Sequence, residues 1–458
     1  MPLLDPTDKR PVHFVGIAGA GMSALAELLV RRGAIVTGCD SSLAAAGDLR
    51  RLGLTLYEGH DQSHVAGTRA VVVTSAVPKT HPELERARSL GIPVIRRAEA
   101  LGEAVSEATL VAVAGTHGKT TTTVLTTEAL RAGGLDPTGV VGGRVSAWGG
   151  NLSEGGNSLF VVEADEYDRS FLALTPTIAI VTNVEADHLD IYLDLAEIRE
   201  TFAKFVQPAR TIILCADDDG ANTLPTPSSA EVIRYGIRSD DARVRARNVE
   251  LRGEGSELDV EYDGEPLGHV SLKVAGRHNV LNGLAGVSAG LALGLSVERM
   301  RNGLAAFGGV ERRFERLGDA RGISVVDDYA HNPTKVRAAL ETARVAFPGR
   351  RIVAAFQPHL FTRTRDFAKE FGEALATADA VFLTEIYPAR EQPIAGVTSS
   401  LIERAVRDAG GTMAWRGDRA ALAEALGSSV REGDVVITIG AGDITKTGPE
   451  LLQRLGRG

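Results

Sequence analysis

Short runs of apolar, β-branched residues alternate along the first hundred residues with stretches whose apolar positions recur at helical spacing. The runs at 12–17, 34–38 and 70–74 are predicted strands, and 22–32 is a predicted helix. Apolar strands separated by helical segments are typical of a parallel sheet covered by helices. The pattern therefore predicts a doubly wound α/β domain in this part of the chain.

The same alternation continues through the rest of the chain. A run at 110–114 precedes a predicted helix at 122–130, and alternating residues over 258–274 around Asp263-Gly264 predict a hairpin. Further strands are predicted at 160–162, 178–183, 323–326, 351–356, 380–383, 412–415 and 435–439. A second and a third α/β unit are therefore expected to follow the first.

A glycine-rich turn, Gly115-Thr116-His117-Gly118-Lys119-Thr120-Thr121, lies between the strand at 110–114 and the helix after it. Backbone N–H groups of such a turn and the helix N-terminus bind phosphate. Lys119 is expected to reach the β- and γ-phosphates of a nucleotide, and the Thr120 hydroxyl to bind Mg²⁺. The strict P-loop pattern has a glycine where this chain has Val113. The flanking strand and helix nevertheless favour a nucleoside triphosphate site over a simple turn.

Length and local breaks in the pattern predict three domains, since 458 residues exceed one ordinary core at ~150 residues per domain. A polar connector around 101–108 and a turn at 307–309 mark the expected boundaries. We predict an α/β fold with an N-terminal Rossmann-like domain (1–107), a central P-loop ATPase-like mononucleotide-binding domain (108–310) and a C-terminal Rossmann-like domain (311–458).

The net charge of −9 argues against a nucleic-acid surface. The first ten residues lack the apolar core of a signal peptide, and no apolar stretch is long enough to cross a bilayer, so we expect a cytoplasmic protein without membrane insertion. Cys39 and Cys215 both end apolar runs and are interpreted as reduced packing residues.

A second glycine-rich turn, Gly16 to Ser23, lies between the first strand and the first helix. Its glycines would let a diphosphate approach the backbone, and Asp40 after the second strand has the spacing expected for a ribose contact. Ser75 follows another strand, where open α/β sheets bind ligands. A nucleoside diphosphate is favoured, although a nicotinamide cofactor fits these residues about as well and close helix packing is the simplest alternative.

Carboxylates follow two apolar strands of the central segment. Glu163 ends the strand that begins at Phe160, and Asp187 and His188 follow the strand at 178–183. Carboxylates at strand ends beside a phosphate loop bind Mg²⁺ directly or through water, and His188 is a candidate ligand for a second divalent ion. Metal binding, with Glu163 and His188 foremost, is favoured over solvated loops.

Polar groups also follow the strands of the last segment. Arg313, Arg363 and Arg365 flank such strand-end clusters, and arginine suits planar carboxylate and phosphate recognition. Earlier, Asn279 opens an Ala/Leu-rich helix. Its side chain could pair with an adenine edge, but capping the helix is an equally good explanation.

Five motifs follow one another along the chain in a recognisable order. They are Gly115 to Thr121, Asp187-His188-Leu189-Asp190, Gly276-Arg277-His278-Asn279, Arg312-Arg313-Phe314-Glu315 and Asp328-Tyr329-Ala330-His331-Asn332-Pro333. Together they resemble the Mur ligases over nearly the whole chain. Within that family, the turn at 16–23, His117 and the run from Gln357 to Arg365 resemble the branch that adds L-alanine to UDP-N-acetylmuramate.

The resemblance implies a reaction and its ligands. The lactyl carboxylate of UDP-N-acetylmuramate attacks the γ-phosphate of ATP, and the amine of L-alanine then displaces phosphate from the acyl phosphate. The first domain is expected to bind the UDP-sugar, the second ATP and Mg²⁺ (with Mn²⁺ able to substitute), and the third ATP and the amino acid. A monomer or homodimer acting in cytoplasmic peptidoglycan precursor synthesis is implied.

The resemblance also implies roles for individual residues. The diphosphate and uridine contacts are expected at Gly19, Ala20, Gly21, Met22 and Ser23, with Asp40 and Ser75 as further candidates. ATP contacts are expected at Gly115, Thr116, His117, Gly118, Lys119, Thr120, Thr121, His278, Asn279, Asn282, Arg313 and Asp328. The metals are expected at Thr120, Glu163 and His188. The amino acid is expected at Tyr329, His331, Arg363 and Arg365. Lys119, His188 and His331 are the candidate catalytic residues.

One departure and three alternatives accompany this hypothesis. Several relatives carry a carbamylated lysine at the metal site, and Lys204 does not clearly occupy that position, so it is assigned no role. The alternatives are a ligase that attaches a recycled tripeptide to the same UDP-sugar, a nicotinamide-dependent oxidoreductase, and a nucleotide-binding regulator without catalysis. The oxidoreductase would leave the loop at 115–121 and the metal residues without a function.

Overall fold

The computed structural model describes residues 3–5, 7–189, 191–253, 255–389 and 391–457. The chain forms two compact units. The first unit comprises Met1–Asn248, Leu258–Ser271 and Val280–Gly308, and the second comprises Val249–Glu257, Leu272–Asn279 and Gly309–Gly458. Within the described residues, no helix has both the length and the apolar character needed to cross a membrane.

The first sheet of the first unit is wholly parallel. Its elements are β1 (Val12–Val15), α1 (Ala20–Arg31), β2 (Val36–Asp40), α2 (Gly47–Arg51), β3 (Thr55–Glu58), β4 (Ala70–Val73), α3 (Pro82–Ser89), β5 (Val94–Arg96) and α4 (Arg97–Val105), with a 3₁₀ helix at Gln62–Val65. The strand order is β3-β2-β1-β4-β5. Strands are added on one side of β1 as far as β3 and on its other side from β4 onwards, so the strand order reverses between β1 and β4. Open parallel sheets bind ligands at such a point.

The sequence located β1, α1, β2 and β4 but misplaced some of their ends, and it did not predict α2, β3, α3, β5 and α4. α1 begins at Ala20, two residues before the predicted start, and β2 reaches Asp40. The polar connector predicted from residue 101 is wrong as far as Val105, because α4 continues to that residue. Leu101, Ala104 and Val105 recur at helical spacing and are buried.

The second sheet carries the predicted phosphate loop. Its elements are β6 (Thr109–Ala114), α5 (Lys119–Ala132), β7 (Thr138–Val145), β8 (Gly150–Ser153), β9 (Leu159–Glu163), β10 (Ile178–Val181), α6 (Leu195–Val206), β11 (Thr211–Cys215), α7 (Asp219–Asn222), β12 (Glu231–Gly236), β13 (Val244–Arg252), β14 (Gly255–Tyr262), β15 (Glu265–Leu272), α8 (Arg277–Ala292) and α9 (Val297–Ala306). 3₁₀ helices lie at Ser146–Trp148 and Tyr167–Ala173. The strand order is β15-β14-β13-β12-β11-β10-β6-β9-β7-β8.

The position of β6 in this sheet organises the site. β6 lies between β9 and β10 and is parallel to both. The carboxyl ends of these three strands therefore meet at one edge of the sheet, which brings together residues far apart in sequence. At one end of the strand order of this sheet, β14 and β15 form the predicted hairpin. Asp263 and Gly264 both have the positive φ of a tight hairpin turn.

The third sheet belongs to the second unit. Its elements are β16 (Glu315–Ala320), β17 (Ile323–Asp328), α10 (Pro333–Ala346), β18 (Ile352–Phe356), α11 (Phe361–Asp366), α12 (Ala368–Leu375), β19 (Ala380–Thr384), α13 (Ser400–Asp408), β20 (Met413–Gly417), α14 (Arg419–Ser429), β21 (Val435–Ile439) and α15 (Thr447–Arg457), with a 3₁₀ helix at Asp443–Lys446. The order is β16-β17-β21-β18-β19-β20, and only β16 is antiparallel to its neighbour. Apolar clusters cover both faces of this sheet.

The three sheets confirm the predicted α/β class and the presence of three sheet-containing domains. The predicted strands of the last segment are all present, and β16 was missed because its residues are mostly half-exposed and do not form an apolar run. The domain boundaries predicted at 107/108 and 310/311 stay predictions.

Candidate active site

The phosphate loop connects β6 to α5 through two glycines in the left-handed region. Gly115 has φ +143° and Gly118 has φ +79°. A Cβ on Gly115 would overlap the Thr182 hydroxyl, and one on Gly118 would lie 2.6 Å from Asn282 Oδ1. Both positions therefore require glycine on steric and conformational grounds, although the strict motif fails at residue 113.

Residues that follow β10 hold this loop in place. The Asn183 carbonyl accepts a hydrogen bond from Thr116 N (3.1 Å), and Asn183 Oδ1 accepts one from His117 N (2.7 Å). The Thr182 hydroxyl donates to the His117 carbonyl at 2.5 Å. The His117 ring contacts Glu185, with Nε2 3.0 Å from Oε2. Asn183 and Glu185 were not predicted as site residues, because their role depends on the adjacency of β6 and β10.

Lys119, whose side chain is 13% exposed, forms an ion pair with the buried Glu166 at the start of α5. Its Nζ donates to Glu166 Oε2 at 2.5 Å and to the Gly115 carbonyl at 2.8 Å, and it lies 4.0 Å from Asp165 Oδ1. Burial by itself disfavours the charged ammonium, but the charges of Glu166 and Asp165 outweigh burial and raise the pKa of Lys119. Burial likewise opposes the Glu166 carboxylate, but Lys119 and His188 lower the pKa of Glu166 to about 2. Both partners are therefore charged at neutral pH.

The residues predicted to hold a metal lie beside this pair. Thr120 Oγ1 donates to Glu163 Oε1 at 3.0 Å, and Gly142 N donates to Glu163 Oε2 at 2.7 Å. His188 has φ +54°, and its Nε2 lies 3.5 Å from Glu166 Oε1. Asp190, the last residue of that motif, lies outside the described residues.

These side chains fit a divalent cation. Within the described part of the chain, the buried Oε1 of Glu166 makes no hydrogen bond. A hydroxyl, two carboxylates and an imidazole are oxygen and nitrogen donors that Mg²⁺ and Mn²⁺ accept. Glu166 belongs to an acidic strand end of the sequence but was assigned no role there, since only the folded sheet places it against Lys119.

A cavity of about 520 Å³ connects the first glycine turn with this acidic edge. It is lined by Gly16, Gly19, Ala20, Gly21, Met22, Asp40, Ser41, His60, Thr74, Ala76, Val77, Arg97, Leu101, Val140, Val141, Gly142, Glu163 and Asp165. Arg97 was not predicted, and it supplies a guanidinium close to Gly21, where an added Cβ would lie 2.8 Å from Nη1. A guanidinium beside a glycine turn is suited to an anionic ligand.

Three predicted polar residues near the first glycine turn differ in their relation to the cavity. Asp40 Oδ2 accepts a hydrogen bond from Ala18 N (3.0 Å), so this carboxylate supports the turn as well as lining the cavity. Ser23 Oγ donates to the Ala20 carbonyl at 2.9 Å. Ser75 is exposed in the loop after β4, and neither serine lines the cavity.

The residues predicted near adenine make different contacts. In the first unit, buried Asn282 accepts a hydrogen bond from Thr122 Oγ1 at 3.1 Å. In the second unit, Asn279 donates from Nδ2 to the Ala275 carbonyl at 2.8 Å, and His278 is exposed.

In the second unit, Asp328 and two arginines surround Tyr329. The Asp328 carboxylate accepts from Phe314 N at 2.8 Å and from Ala330 N at 2.7 Å. Burial raises the pKa of Asp328, against the opposing charge of Arg313. The guanidinium carbons of Arg312 and Arg313 lie 4.8 and 5.1 Å from the centre of the Tyr329 ring, which is cation–π distance.

A cluster of rings continues from Tyr329. The His331 ring lies 5.1 Å from the Tyr329 ring and 6.1 Å from the His359 ring. Arg363 is buried, and its Nη1 lies 3.4 Å from His359 Nδ1. Arg365 is exposed and pairs with Asp366 at 2.6 Å, so no described contact joins it to this cluster. His359 belongs to the run from Gln357 to Arg365 but was not predicted as a site residue.

Comparison with known proteins gives consistent results along the whole chain. Residues 11–109 match the Mur ligase family catalytic domain, 113–290 the Mur ligase middle domain, and 312–442 the Mur ligase glutamate ligase domain. The UDP-N-acetylmuramate–L-alanine ligase of Renibacterium salmoninarum is 44% identical over 459 residues, which cover 98% of this chain and 96% of the relative. That of Streptomyces avermitilis is also 44% identical, with 99% of both chains covered.

Solved structures show the same similarity. The UDP-N-acetylmuramate–alanine ligase of Thermotoga maritima superimposes with a TM-score of 0.83 at 30% identity, covering 97% of this chain and 98% of that one. The murein peptide ligase of Psychrobacter arcticus superimposes with a TM-score of 0.72 at 24% identity, covering 98% and 99%. The second comparison shows the shared fold alone.

Proposed function

The chain belongs to the Mur ligase family, and we propose on that premise how its residues carry out the reaction. It is an ATP-dependent ligase that joins L-alanine to the lactyl carboxylate of UDP-N-acetylmuramate, with release of ADP and phosphate. The geometric observation that supports our assignment is the cavity that runs from the glycine turn at Gly19 to Glu163, a residue that contacts Thr120 next to Lys119. A UDP-sugar in this cavity would present its carboxylate at the edge where the phosphate loop lies.

The chemistry requires activation of a carboxylate. A carboxylate oxygen of the sugar attacks the γ-phosphorus of ATP, the bond to the β-phosphate oxygen breaks, and ADP leaves. The amine of L-alanine then attacks the acyl carbon, loses a proton, and expels phosphate from the tetrahedral intermediate. Phosphoryl transfer is catalysed mainly by positioning and charge stabilisation. Lys119 is suited to that task because its ammonium is fixed at the N-terminus of α5 and its pKa is raised.

The metal residues are assigned by their chemistry. Thr120, Glu163 and His188 would hold Mg²⁺, for which Mn²⁺ is a substitute, and the adjacent Glu166 carboxylate would share that role. The bound cation would offset negative charge on the transferred phosphoryl group. Glu166 also keeps Lys119 charged and directed towards the loop.

The remaining contacts are assigned by the resemblance of their motifs to those of the Mur ligases. The turn at 19–23, with Asp40 and Ser75, is assigned to the UDP moiety. His278, Asn279, Asn282, Arg313 and Asp328 are assigned to ATP. Tyr329, His331, Arg363 and Arg365 are assigned to the amino acid, and His331 is the candidate acceptor of the amine proton.

The cellular setting follows from the substrate. A UDP-linked sugar is a cytoplasmic peptidoglycan precursor, so we propose that the protein acts in the cytoplasm on small molecules only. We also propose that it acts as a monomer or homodimer.

A phosphate-release assay tests this proposal. Release is expected only when UDP-N-acetylmuramate, L-alanine, ATP and Mg²⁺ are all present, and substitution of the recycled tripeptide for L-alanine should give little release. Undiminished release without any amino acid would contradict the ligase function, and a preference for the tripeptide would favour the recycling ligase.

A substitution at Lys119 separates the two ligand sites. Lys119→Ala should lower turnover by at least ~100-fold because a charge stabiliser of the transition state is lost. Calorimetric binding of UDP-N-acetylmuramate should remain within a few-fold of wild type. Lys204→Ala is the matched control, since Lys204 is an exposed lysine of the same unit that pairs with Glu200 at 2.8 Å. Loss of UDP-sugar binding in Lys119→Ala would show that the two ligands are assigned to the wrong sites.

A further inference from the structure

Four side chains with metal-binding chemistry meet in the first sheet at a place that the ligase reaction does not use. They are His13 on β1, Cys39 on β2, His64 in the 3₁₀ helix Gln62–Val65, and Glu83 on α3. One ligand atom from each lies within 4.8 Å of the ligand atoms of the other three. We call this set the His13–Glu83 cluster.

Burial distinguishes the cluster from an ordinary polar surface. His13, Cys39 and Glu83 are completely buried, and the His64 side chain is 13% exposed. Polar groups are rarely removed from water to this extent unless they bind one another or a ligand. Four groups from four separate elements have been brought together here.

The orientation of His13 indicates a missing partner. Its Nδ1 lies 2.9 Å from Thr37 Oγ1, which directs Nε2 into the cluster. In the described part of the chain this buried Nε2 makes no hydrogen bond, and Glu83 Oε2 lies 3.7 Å away from it. That distance is too long for a hydrogen bond. A buried ring nitrogen left in this state costs free energy, which a bound cation would recover.

Cys39 and His64 already converge on Glu83. Cys39 Sγ donates to Glu83 Oε2 at 3.0 Å, and His64 Nδ1 lies 2.8 Å from Glu83 Oε1. Asp61 N donates to the same Oε1 at 2.9 Å, which fixes the carboxylate. The thiol, the carboxylate and two imidazoles therefore face one another across a space of a few ångströms.

We propose that the His13–Glu83 cluster binds Zn²⁺. Imidazole, thiolate and carboxylate are all zinc ligands, and two imidazoles, one thiolate and one carboxylate supply the four donors of a tetrahedral site. A thiolate disfavours Mg²⁺ and Ca²⁺, which prefer oxygen ligands. Binding replaces the S–H bond of Cys39 by an S–Zn bond and releases the thiol proton to solvent. The ligand atoms draw in to bond lengths of ~2.0–2.3 Å.

A zinc ion at this position would connect the parts of the fold that support the first glycine turn. The Cys39 carbonyl accepts hydrogen bonds from Gly16 N (2.9 Å) and Ile17 N (3.0 Å), the residues at which that turn begins. His60, whose Nδ1 lies 3.3 Å from Cys39 Sγ, also lines the cavity. Hydrogen bonds to the residues that bind a metal orient those residues. The bound ion should therefore stabilise the first sheet.

Cobalt titration of the full-length, untagged protein tests the proposal. After chelator treatment, one equivalent of Co²⁺ should give a thiolate-to-cobalt charge-transfer band and the intense visible bands of four-coordinate cobalt, and Zn²⁺ should abolish both. Cys39→Ser should remove the charge-transfer band. Cys215→Ser is the matched control, because Cys215 is the other cysteine of the chain, also buried, and should leave the band intact. The residues assigned to Mg²⁺ include no thiol, so cobalt bound there gives no such band.

A second measurement needs no substitution and remains decisive if Cys39→Ser does not fold. X-ray absorption of the wild-type protein with one equivalent of Zn²⁺ should show one sulfur at ~2.3 Å together with nitrogen or oxygen at ~2.0 Å. A shell of nitrogen and oxygen alone would overturn the proposal and leave a metal-free hydrogen-bond network. A charge-transfer band that is lost in Cys215→Ser but kept in Cys39→Ser would overturn it as well.

Discussion

The buried pair of Lys119 and Glu166 provides the sharpest test of the site geometry. Replacing Lys119 by Met removes the ammonium but keeps the aliphatic volume. Glu166, whose side chain is only 4% exposed, is then left as a buried carboxylate. Replacing Glu166 by Gln removes the opposite charge, and the double substitution removes both. The four proteins form a thermodynamic cycle that measures the coupling between the two side chains.

The size of the effect follows from distance and burial. At the observed 2.5 Å, two unit charges attract by about 7 kcal/mol at an effective dielectric constant of ~20, before the cost of desolvation is subtracted. Breaking a buried pair by removing one partner costs about 3–5 kcal/mol. His188 Nε2 remains 3.5 Å from Glu166 Oε1 and offsets part of the loss. We therefore expect Lys119→Met to lower the free energy of unfolding by about 3 kcal/mol, and the double variant to lose about 2 kcal/mol less than the sum of the single variants.

Tryptophan placement makes the measurement specific. The chain has two tryptophans, Trp148 in the first unit and Trp415 in the second. In a Trp415→Phe background, urea unfolding followed by fluorescence reports on the first unit through Trp148, whose Nε1 donates to Glu128 Oε1 at 2.7 Å. A shift of the midpoint at constant slope indicates a change of stability rather than of the unfolded state.

An exposed pair on α6 serves as the control for the cycle. Lys204 and Glu200 lie 2.8 Å apart, four residues from each other, with side chains 61% and 66% exposed. Their coupling should be below ~0.5 kcal/mol. Equal coupling in the two cycles, or additive losses at Lys119 and Glu166, would refute the conclusion that these two charges form a buried pair.

Three further predictions follow from individual contacts. Gly118→Ala should weaken ADP binding, measured by calorimetry, by ~10-fold or more, because the backbone has φ +79° and the new Cβ would lie 2.6 Å from Asn282 Oδ1. Gly91→Ala is the control and should leave binding unchanged, since Gly91 also has a positive φ (+69°) but open space around it. Asp327→Ala should lower the free energy of unfolding of the second unit, followed by Trp415 fluorescence, by about 3 kcal/mol. The buried Asp327 carboxylate accepts hydrogen bonds from Arg312 at 3.1 Å and from the hydroxyls of Thr438 and Thr445, and a loss below ~1 kcal/mol would contradict that account. Phe382→Ala should cost about 3–5 kcal/mol in the same assay because the ring is 1% exposed in the core, and a midpoint equal to that of wild type would contradict that burial.

Several features of this protein were determined by the local sequence. The alternation of apolar runs with helical spacing predicted the α/β class and most strands, because side-chain periodicity is a local property of strands and helices. Gly115 and Gly118 predicted the turn between β6 and α5 for a related reason, since a positive φ and a close approach can be met only by glycine. Glu163 and His188 were predicted from their places after apolar strands.

Other features depended on which segments the folded chain places side by side. Glu166 became the partner of Lys119, 47 residues away, only because β6 pairs with β9. Arg97 faces the cavity although its neighbourhood in the sequence indicates only the approach to a connector.

The His13–Glu83 cluster is the clearest case of this kind, since its members come from two strands, a 3₁₀ helix and an α-helix. Taken singly, these side chains resemble packing or loop residues. Periodicity along the chain specifies which face of an element is buried, but the identity of the neighbour across that face is set by strand order and packing, which no local pattern contains.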